Sequence, residues 1–178
     1  MSQLKIVGID PSLSATGICF PDESAVTVKD KGYTGDKRLV LLYASVRQAV
    51  EGVDVVVLED LPANAMSAGL TGRSQGVVRL VLQQLGVPYI AIPAATLKKA
   101  AVGKGNAKKT AMKEMYQSEH DSDARNLNAN DDNQVDAFYL HQCGRYLFMG
   151  EDFALSDPTA LDKYQDQADA ILEILTEV

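Results

Sequence analysis

Four acidic residues stand where their carboxylates can converge on one point. Asp10 and Glu59 each end a strongly apolar run, whereas Asp132 and Asp136 open a helical stretch four residues apart. Residues at i and i+4 share one face of a helix. Carboxylates gathered in this way repel one another unless a cation binds between them. The four acids therefore predict a divalent-metal site, and metal at such a site commonly serves phosphate chemistry.

The apolar runs predict the elements that carry the first two acids. Residues 5–10 are predicted to form a buried strand, and residues 53–59 a strand apolar on both faces, as in a parallel strand covered by helices. Asp10 and Glu59 end these strands at the sheet edge where ligands bind in an open α/β sheet. Two divalent ions about 3.5 to 4 Å apart at this edge would activate a water and stabilise the leaving oxygen of a phosphodiester. Each acid alone has a plainer explanation as a turn residue or helix cap, but the four together favour the metal site.

Strands and helices alternate along the rest of the chain, which predicts an α/β sheet flanked by helices. Pro, Gly and Asp in turn positions bound two further strands, which are expected to lie antiparallel to their neighbours. Apolar residues at helical spacing then recur up to Gly52 and again up to Gly86. The further predicted strands are 14–20, 25–33 and 87–92, and the predicted helices are 36–50, 66–86, 96–116 with a break at 103–106, 131–148 and 161–175.

The charge of the chain is unevenly distributed. A net charge of −7 and an isoelectric point near 4.8 argue at first against a nucleic-acid partner. However, residues 151–178 hold eight acids and a single lysine, so this segment carries the whole −7 and residues 1–150 are neutral. A dense lysine stripe lies in that neutral part, made of Lys98, Lys99, Lys104, Lys108, Lys109 and Lys113. A charge run is most often a solvated helix face, so the stripe supports DNA binding only in combination with the acids.

Length and composition favour one globular domain. The chain has 178 residues, of which 46% are apolar, and this is enough for a real core. Its apolar runs are far shorter than the roughly 18 residues of a membrane span, and no signal or transit segment precedes the first strand. Cys19 and Cys143 lie in apolar contexts without metal-ligand spacing and are expected to be buried thiols. We therefore expect an intracellular, cytoplasmic protein that does not associate with membranes.

Four motifs of the chain resemble those of the RuvC Holliday-junction resolvases. They are Gly8-Ile9-Asp10-Pro11-Ser12 with Thr16-Gly17, Leu58-Glu59, the stretch from Leu97 to Lys109, and Asp132 to Ala137. Their order and spacing agree with the family over residues 4–148. The resemblance implies the α/β fold of the ribonuclease H-like superfamily, a mixed five-stranded sheet flanked by helices, here with an added acidic C-terminal helix. Residues 1–150 would form the nuclease domain, and residues 151–178 an acidic helical extension of that domain.

The resemblance also implies an activity. It implies a magnesium-dependent endonuclease that nicks two opposed strands of a four-way DNA junction symmetrically and leaves a 5′-phosphate and a 3′-hydroxyl. Two Mg²⁺ ions are implied for each active site, Mn²⁺ is expected to substitute for them, and no nucleotide cofactor is expected. Asp10 would bridge both ions, Glu59 would hold one, and Asp132 and Asp136 would hold the other. Two opposed nicks require two active sites, so a homodimer is implied. A compact, acidic chain of this kind fits a phage source, with the host cytoplasm as its place of action.

Several basic and polar residues match positions that approach DNA in the family. Lys98 and Lys109 fall where the family has lysines near the scissile phosphate, and would stabilise charge developing there. The expected DNA contacts are Ser67, Arg73, Gln75, Lys98, Lys99, Lys104 and Lys108. Arg73 and Gln75 also have a plainer explanation as the exposed face of a helix. Because only 6% of residues are aromatic and none is Trp, contacts to the DNA backbone are favoured over base stacking.

The chain departs from the family pattern in two places. The family commonly has its last two acids three residues apart, whereas Asn133 lies three residues before Asp136. Asp132 is preferred because the i, i+4 spacing keeps it on the helix face of Asp136, and Asp131 and Asn133 stay open as alternatives. The acidic helix from Leu161 onward has no clear counterpart. It would cover an apolar patch, strengthen the dimer, or repel DNA from a wrong surface.

The predicted helix 66–86 offers small and apolar residues for a contact between two copies of the chain. They are Gly69, Gly76, Val77, Leu80 and Val81. Core packing explains the same residues equally well.

Three other functions stay open. A different ribonuclease H-like nuclease would act on RNA–DNA hybrids or branched DNA flaps. An actin-like or sugar-kinase-like phosphotransferase could also begin with the residues 8–17, but such proteins need a second lobe for which 178 residues leave no room. A DNA-structure-binding protein without catalytic activity is disfavoured because all four acids are present.

Overall fold

A five-stranded mixed sheet runs through the centre of the molecule. The structure, a computed structural model, describes residues 4–30, 32–61, 68–119 and 126–177. The strands are β1 (Ile6–Asp10), β2 (Ala15–Cys19), β3 (Ala25–Lys29), β4 (Val55–Asp60) and β5 (Tyr89–Pro93). Their order in the sheet is β3-β2-β1-β4-β5, with β1 to β3 antiparallel and β4 and β5 parallel to β1. The predicted mixed sheet of five strands is confirmed.

Helices cover both faces of this sheet. They are α1 (Lys37–Val50), α2 (Ala68–Leu85), α3 (Ala94–Val102), α4 (Lys109–Glu119), α5 (Asp132–Met149), a 3₁₀ helix (Pro158–Tyr164) and α6 (Gln165–Thr176). The helices α1 and α2 pack on one face, and α5 packs on the other. The predicted helices of the first 150 residues are confirmed where the structure describes them, whereas residues 66 and 67 of the predicted helix 66–86 lie outside the described residues. The break between α3 and α4 falls at Gly103, as the sequence predicts. None of the helices described is long and apolar enough to cross a membrane.

Strand alternation decides which acids face which helix. Val7, Ile9, Val56 and Leu58 belong to the core against α1 and α2, whereas Ile6, Val55 and Val57 belong to the core against α5. Because successive side chains of a strand point to opposite faces, Asp10 and Glu59 fall on the α5 face. Ile9 pairs with Leu58 in the parallel register, so these two acids follow at adjacent positions of neighbouring strands.

Two glycines let α5 lie unusually close to the sheet. A Cβ added at Gly8 would lie 2.2 Å from the backbone oxygen of Ala137, and one added at Gly17 would lie 1.9 Å from that of Asn133. No larger residue fits at either position without moving the helix. The close approach brings the first turns of α5, and with them Asp136, to the sheet edge where β1 and β4 end.

The C-terminal extension completes the core on the outer side of α5. Leu161, Ala168 and Ile171 are buried in the same hydrophobic cluster as the apolar side chains of α5. The sequence predicted a single helix over 161–175, and this was wrong in detail. The chain forms a 3₁₀ helix up to Tyr164, and the α-helix α6 begins only after it. Leu161 is therefore buried from the 3₁₀ helix and not from α6. Covering an apolar surface is thus one role that the extension performs.

Candidate metal-binding active site

Asp10 lies at the carboxyl end of β1, on the α5 face of the sheet. Its pKa is raised well above the ordinary value, chiefly by burial among protein atoms and then by the negative charges of Glu59 and Asp136. The ammonium group of Lys109 acts in the opposite direction. Asp10 therefore shares one electrostatic environment with two other acids and one lysine.

Glu59 lies at the corresponding place on β4. Burial is the largest cause that raises its pKa to about 7, and repulsion by Asp136 adds to it. Lys109 and Lys98 lower the pKa in part. A carboxyl group with this pKa exchanges its proton for a cation near neutral pH, which is a property of metal-binding and catalytic acids.

Asp136 brings the third carboxylate to the site from the first turns of α5. It is only 7% exposed, and burial raises its pKa. Lys109 opposes this increase, and its Nζ lies 3.8 Å from a carboxylate oxygen of Asp136. The acids predicted from three separate parts of the sequence, Asp10, Glu59 and Asp136, are thus placed together in the fold.

The residues before Asp136 have different surroundings. Asp131 caps α5: its side chain accepts a hydrogen bond of 3.0 Å from the backbone N–H of Asn133 and one of 2.9 Å from the Thr27 hydroxyl. Although burial acts in the other direction, these hydrogen bonds lower the pKa of Asp131. The Asn133 amide donates to the same Asp131 carboxylate.

Asp132 is the residue of this group that acts electrostatically on the candidate site. Its charge raises the pKa of Asp136, and a carboxylate oxygen of Asp132 lies 2.7 Å from Nζ of Lys113. Asp131 is occupied by the helix cap, so Asp132 is the better placed of the two acids to act beside Asp136.

The donor set suits a hard divalent cation. The four side chains offer only carboxylate oxygens, which Mg²⁺ and Mn²⁺ prefer. In residues 4–30, 32–61, 68–119 and 126–177, no three His, Cys, Asp or Glu side chains already lie close enough together to hold one ion. The fit therefore rests on the buried, mutually repelling acids, whose raised pKa values reflect a charge that a cation would neutralise.

The lysine stripe divides into two groups. Lys98 and Lys109 act electrostatically on the buried acids, as their influence on the pKa of Glu59 and Asp136 shows. By contrast, Lys104 and Lys108 are exposed on the connection between α3 and α4. Lys99 is also exposed, and its Nζ lies 3.7 Å from the carboxylate of Asp157 in the C-terminal extension.

Three residues of the segment after Glu59 are expected to contact DNA, and their positions in the structure differ. Ser67 lies outside the described residues. Arg73 is exposed on α2. The expectation that Gln75 contacts DNA needs correction, because its side chain is only 2% exposed and its amide donates to the backbone oxygen of Glu59. The plainer explanation of Gln75 as part of the exposed face of a helix is wrong for the same reason.

A polar cleft beside the acids contains two lysines, Lys29 and Lys113, that the sequence did not assign to the site. It has a volume of about 520 Å³ and is lined by Lys29, Lys109, Lys113, Asn128, Asn130, Asp131, Asp132 and Asn133. Lys113 had a signal in the sequence, because it follows Lys109 by four residues and so shares its helix face. Lys29 had none, because only the antiparallel pairing of β2 with β3 brings it to this edge.

The helix proposed for a contact between copies contributes to both the surface and the core. Val81 is fully buried in the cluster under α1 and α2. Leu80, which directly precedes Val81, is 52% exposed, and Gly76 is exposed on the same face of α2. Core packing thus accounts for Val81, whereas Leu80 and Gly76 present an accessible surface.

Curated crossover junction endodeoxyribonucleases resemble this chain in sequence. The crossover junction endodeoxyribonuclease RuvC of Hahella chejuensis (strain KCTC 2396) is 30% identical over 134 residues, covering 68% of this chain and 78% of that protein. The protein of the same name from Polynucleobacter necessarius subsp. necessarius (strain STIR1) is 32% identical over 122 residues, covering 63% and 73%. No family model matches the chain.

Solved structures show the same fold. Thermus thermophilus RuvC aligns with a TM-score of 0.64 at 19% identity, covering 85% of this chain and 98% of that one. T. thermophilus RuvC in complex with Holliday junction substrate aligns with a TM-score of 0.61 at 20% identity, covering 78% and 91%. The chain therefore shares its overall fold with these proteins.

Proposed function

The chain belongs to the RuvC family of crossover junction endodeoxyribonucleases, and from this premise we propose that it resolves four-way DNA junctions by metal-dependent hydrolysis. The observation that carries the proposal is the meeting of Asp10, Glu59 and Asp136 from three elements at one sheet edge, with the pKa of each raised. Such a cluster is costly for stability and is explained by a cation that it holds during function.

The acids would hold two Mg²⁺ ions, or Mn²⁺ in their place. Asp10 would contribute to both ions, Glu59 to one, and Asp136 with Asp132 to the other. Bound there, the ions supply an activated water and neutralise charge on the leaving oxygen of the phosphodiester. Lys109, which already lies against Asp136, would move its ammonium group to the phosphate and stabilise charge that develops in the transition state.

The remaining lysines would bind the DNA backbone. Lys98 acts on Glu59 from α3, and the other cations are exposed. Lys99 lies on α3, Lys104 and Lys108 lie on the connection between α3 and α4, and Arg73 lies on α2. Phosphate contacts of this kind fix the position of a protein on DNA and do not distinguish one base sequence from another. They also explain how a chain with a net charge of −7 holds DNA, since all of that net charge lies in residues 151–178.

Paired nicks on opposed strands require two active sites, and we propose a homodimer. The exposed Leu80 beside Gly76 on α2 supports a contact surface there, since a small residue lets two helices approach closely. A two-fold axis through this surface would bring the same residues of both copies together.

A cleavage assay tests the proposed function. Purified protein is incubated with labelled four-way junction, linear duplex, flap and RNA–DNA hybrid, with and without Mg²⁺ or Mn²⁺. We expect symmetric nicks in the junction only with metal, and a loss of at least about a hundredfold in rate for Asp10→Asn and for Glu59→Gln. Glu114→Gln removes an exposed acid of α4 and serves as the matched control.

Other outcomes of the assay contradict the proposal. Preferred cleavage of flaps or hybrids would identify a different ribonuclease H-like nuclease. Junction binding without cleavage in every metal buffer would identify a DNA-structure-binding protein. Full activity of both active-site variants would remove Asp10 and Glu59 from the mechanism.

A further inference from the structure

Two side chains of α2 contact the end of β4, on the sheet face opposite the candidate site. Gln75 donates its amide N–H to the backbone oxygen of Glu59. Arg79, one helical turn later, donates from Nη2 to Oε1 of Gln75 at 3.3 Å and to the carboxylate of Asp60 at 2.8 Å. The guanidinium group of Arg79 also lies 5.6 Å from the ring centre of Tyr89 on β5. These contacts join α2 to both residues at the end of the strand.

The chemistry of the three groups fixes the orientation of the Gln75 amide. An arginine guanidinium has donors only, so the atom of Gln75 that faces Arg79 must be the acceptor Oε1. A backbone carbonyl has an acceptor only, so the atom that faces Glu59 must be the donor Nε2. Gln75 is only 2% exposed, so water cannot readily take the place of either partner. An amide is therefore required at this position, and neither a carboxylate nor an apolar side chain replaces it.

On the β1 side, the backbone oxygen of Glu59 needs a hydrogen-bond donor from outside the sheet. The paired register of β1 and β4 ends at Ile9 and Leu58. Pro11 follows Asp10 and has no backbone N–H, so β1 cannot extend the ladder. On the other side, β5 continues to pair with Glu59. The Gln75 amide thus holds the Glu59 backbone just past the point where the β1 ladder stops.

We propose that Gln75, supported by Arg79, is a positioning residue for the Glu59 carboxylate. It holds the Glu59 peptide from the α2 side and so sets the direction in which the side chain leaves the strand toward Asp10 and Asp136. The inference rests on the proposed function, because it assigns to Glu59 the role of a metal ligand. Gln75 touches neither DNA nor metal in this arrangement and acts only through Glu59.

Gln75→Met tests this role, because methionine has a similar length and no hydrogen-bonding amide. Loss of a group that orients a ligand typically weakens metal affinity or activity by about 10- to 100-fold. We expect Gln75→Met to weaken Mn²⁺ binding to the DNA-free protein, measured by calorimetry, and to lower the single-turnover rate of junction cleavage, each by about tenfold or more. Affinity for the junction in metal-free buffer should stay at the wild-type value, since the lysines that bind the backbone are unchanged.

Three further variants keep the experiment decisive. Arg79 is partly exposed, so Arg79→Met folds even if a buried substitution does not, and we expect it to weaken Mn²⁺ binding in the same direction by a smaller factor. Gln48→Met makes the same chemical change on the exposed face of α1 and should match the wild type in both measurements. In the background of Glu59→Gln, Gln75→Met should weaken Mn²⁺ binding no further, because its effect passes through Glu59.

The outcomes separate this inference from the proposed function. Wild-type Mn²⁺ affinity and cleavage rate in Gln75→Met would overturn the inference, as would an equal loss of junction affinity in metal-free buffer or a full further loss in the Glu59→Gln background. If the wild type fails to cleave junctions but Gln75→Met still weakens Mn²⁺ binding through Glu59, the proposed function fails and the positioning role stands.

Discussion

At the level of single residues, two neighbouring acids at the start of α5 have different roles. Asp131 caps the helix, and the charge of Asp132 acts on Asp136 in the candidate site. We expect Asp131→Ala to lower the free energy of unfolding by about 1 kcal/mol, because the cap hydrogen bonds are lost, and to leave the cleavage rate per folded molecule unchanged. Asp132→Asn should do the reverse and slow cleavage by about tenfold or more without a loss of stability. Urea unfolding and single-turnover cleavage of the two variants measure this. If Asp131→Ala loses cleavage and Asp132→Asn does not, the assignment of the two acids is reversed.

The raised pKa of Glu59 predicts a stability that changes with pH in metal-free buffer. The pKa is about 7 in the folded chain and 4.5 for a glutamate side chain in water, so between these values the folded protein binds a proton that the unfolded chain does not. Stability from this group is therefore present below pH 4.5 and is lost as pH rises through 7. Glu59→Gln should remove this loss and stabilise the metal-free protein at pH 8 by about 1 to 3 kcal/mol. Urea unfolding at pH 5 and pH 8 measures it, with Glu114→Gln as control. A Glu59→Gln variant no more stable than wild type at pH 8 would show that burial and the charge of Asp136 do not raise the pKa of Glu59.

At the level of elements, the sequence predicted what local pattern determines and missed what long-range packing determines. The strands β1 and β4 and their terminal acids followed from apolar runs, and Asp136 followed from its helical spacing. The burial of Gln75 did not, because a glutamine in a helix carries no local sign that it will meet the end of a distant strand. The close approach of α5 to Gly8 and Gly17 was also invisible, since it depends on residues more than a hundred positions apart. The 3₁₀ helix before α6 was missed because the apolar spacing continued through it.

The packing of α5 on β2 predicts that Gly17 tolerates no side chain. We expect Gly17→Ala to lower the free energy of unfolding by about 2 to 3 kcal/mol or more, because its Cβ would overlap the backbone of Asn133. Cleavage should fall with it, since the helix that carries Asp136 must move. Gly72→Ala is the matched control: its Cβ meets nothing within 4 Å, and alanine in a helix should stabilise by about 1 kcal/mol. Thermal and urea unfolding of both variants measure the difference. A harmless Gly17→Ala would mean that α5 lies farther from the sheet than described.

At the level of the whole molecule, charge is separated between a neutral nuclease body and an acidic extension. DNA binding must then depend on a small number of lysines. We expect Lys104→Gln and Lys108→Gln each to reduce the slope of log affinity against log salt for the four-way junction by about 0.9, because each phosphate contact releases about one counterion. Lys37→Gln, on the exposed start of α1, should leave the slope unchanged. Junction binding in metal-free buffer between low and moderate salt measures these slopes. Equal effects of all three variants would indicate attraction by overall charge in place of defined contacts.

The proposed dimer predicts that loss of the interface uncouples the two nicks, because resolution of a junction needs two coordinated sites. Leu80 is 52% exposed, so Leu80→Glu should not disturb the fold, but in a two-fold interface it would place two carboxylates against each other. We expect the variant to be monomeric by sedimentation and to convert a cruciform plasmid mainly to nicked circles, where the wild type yields linear product by paired nicks. Val40→Glu changes an even more exposed apolar residue, 68% accessible on α1, and serves as the control. Dissociation by Val40→Glu and not by Leu80→Glu would place the interface on α1, whereas linear product from a monomeric Leu80→Glu would show that paired nicking does not depend on this dimer.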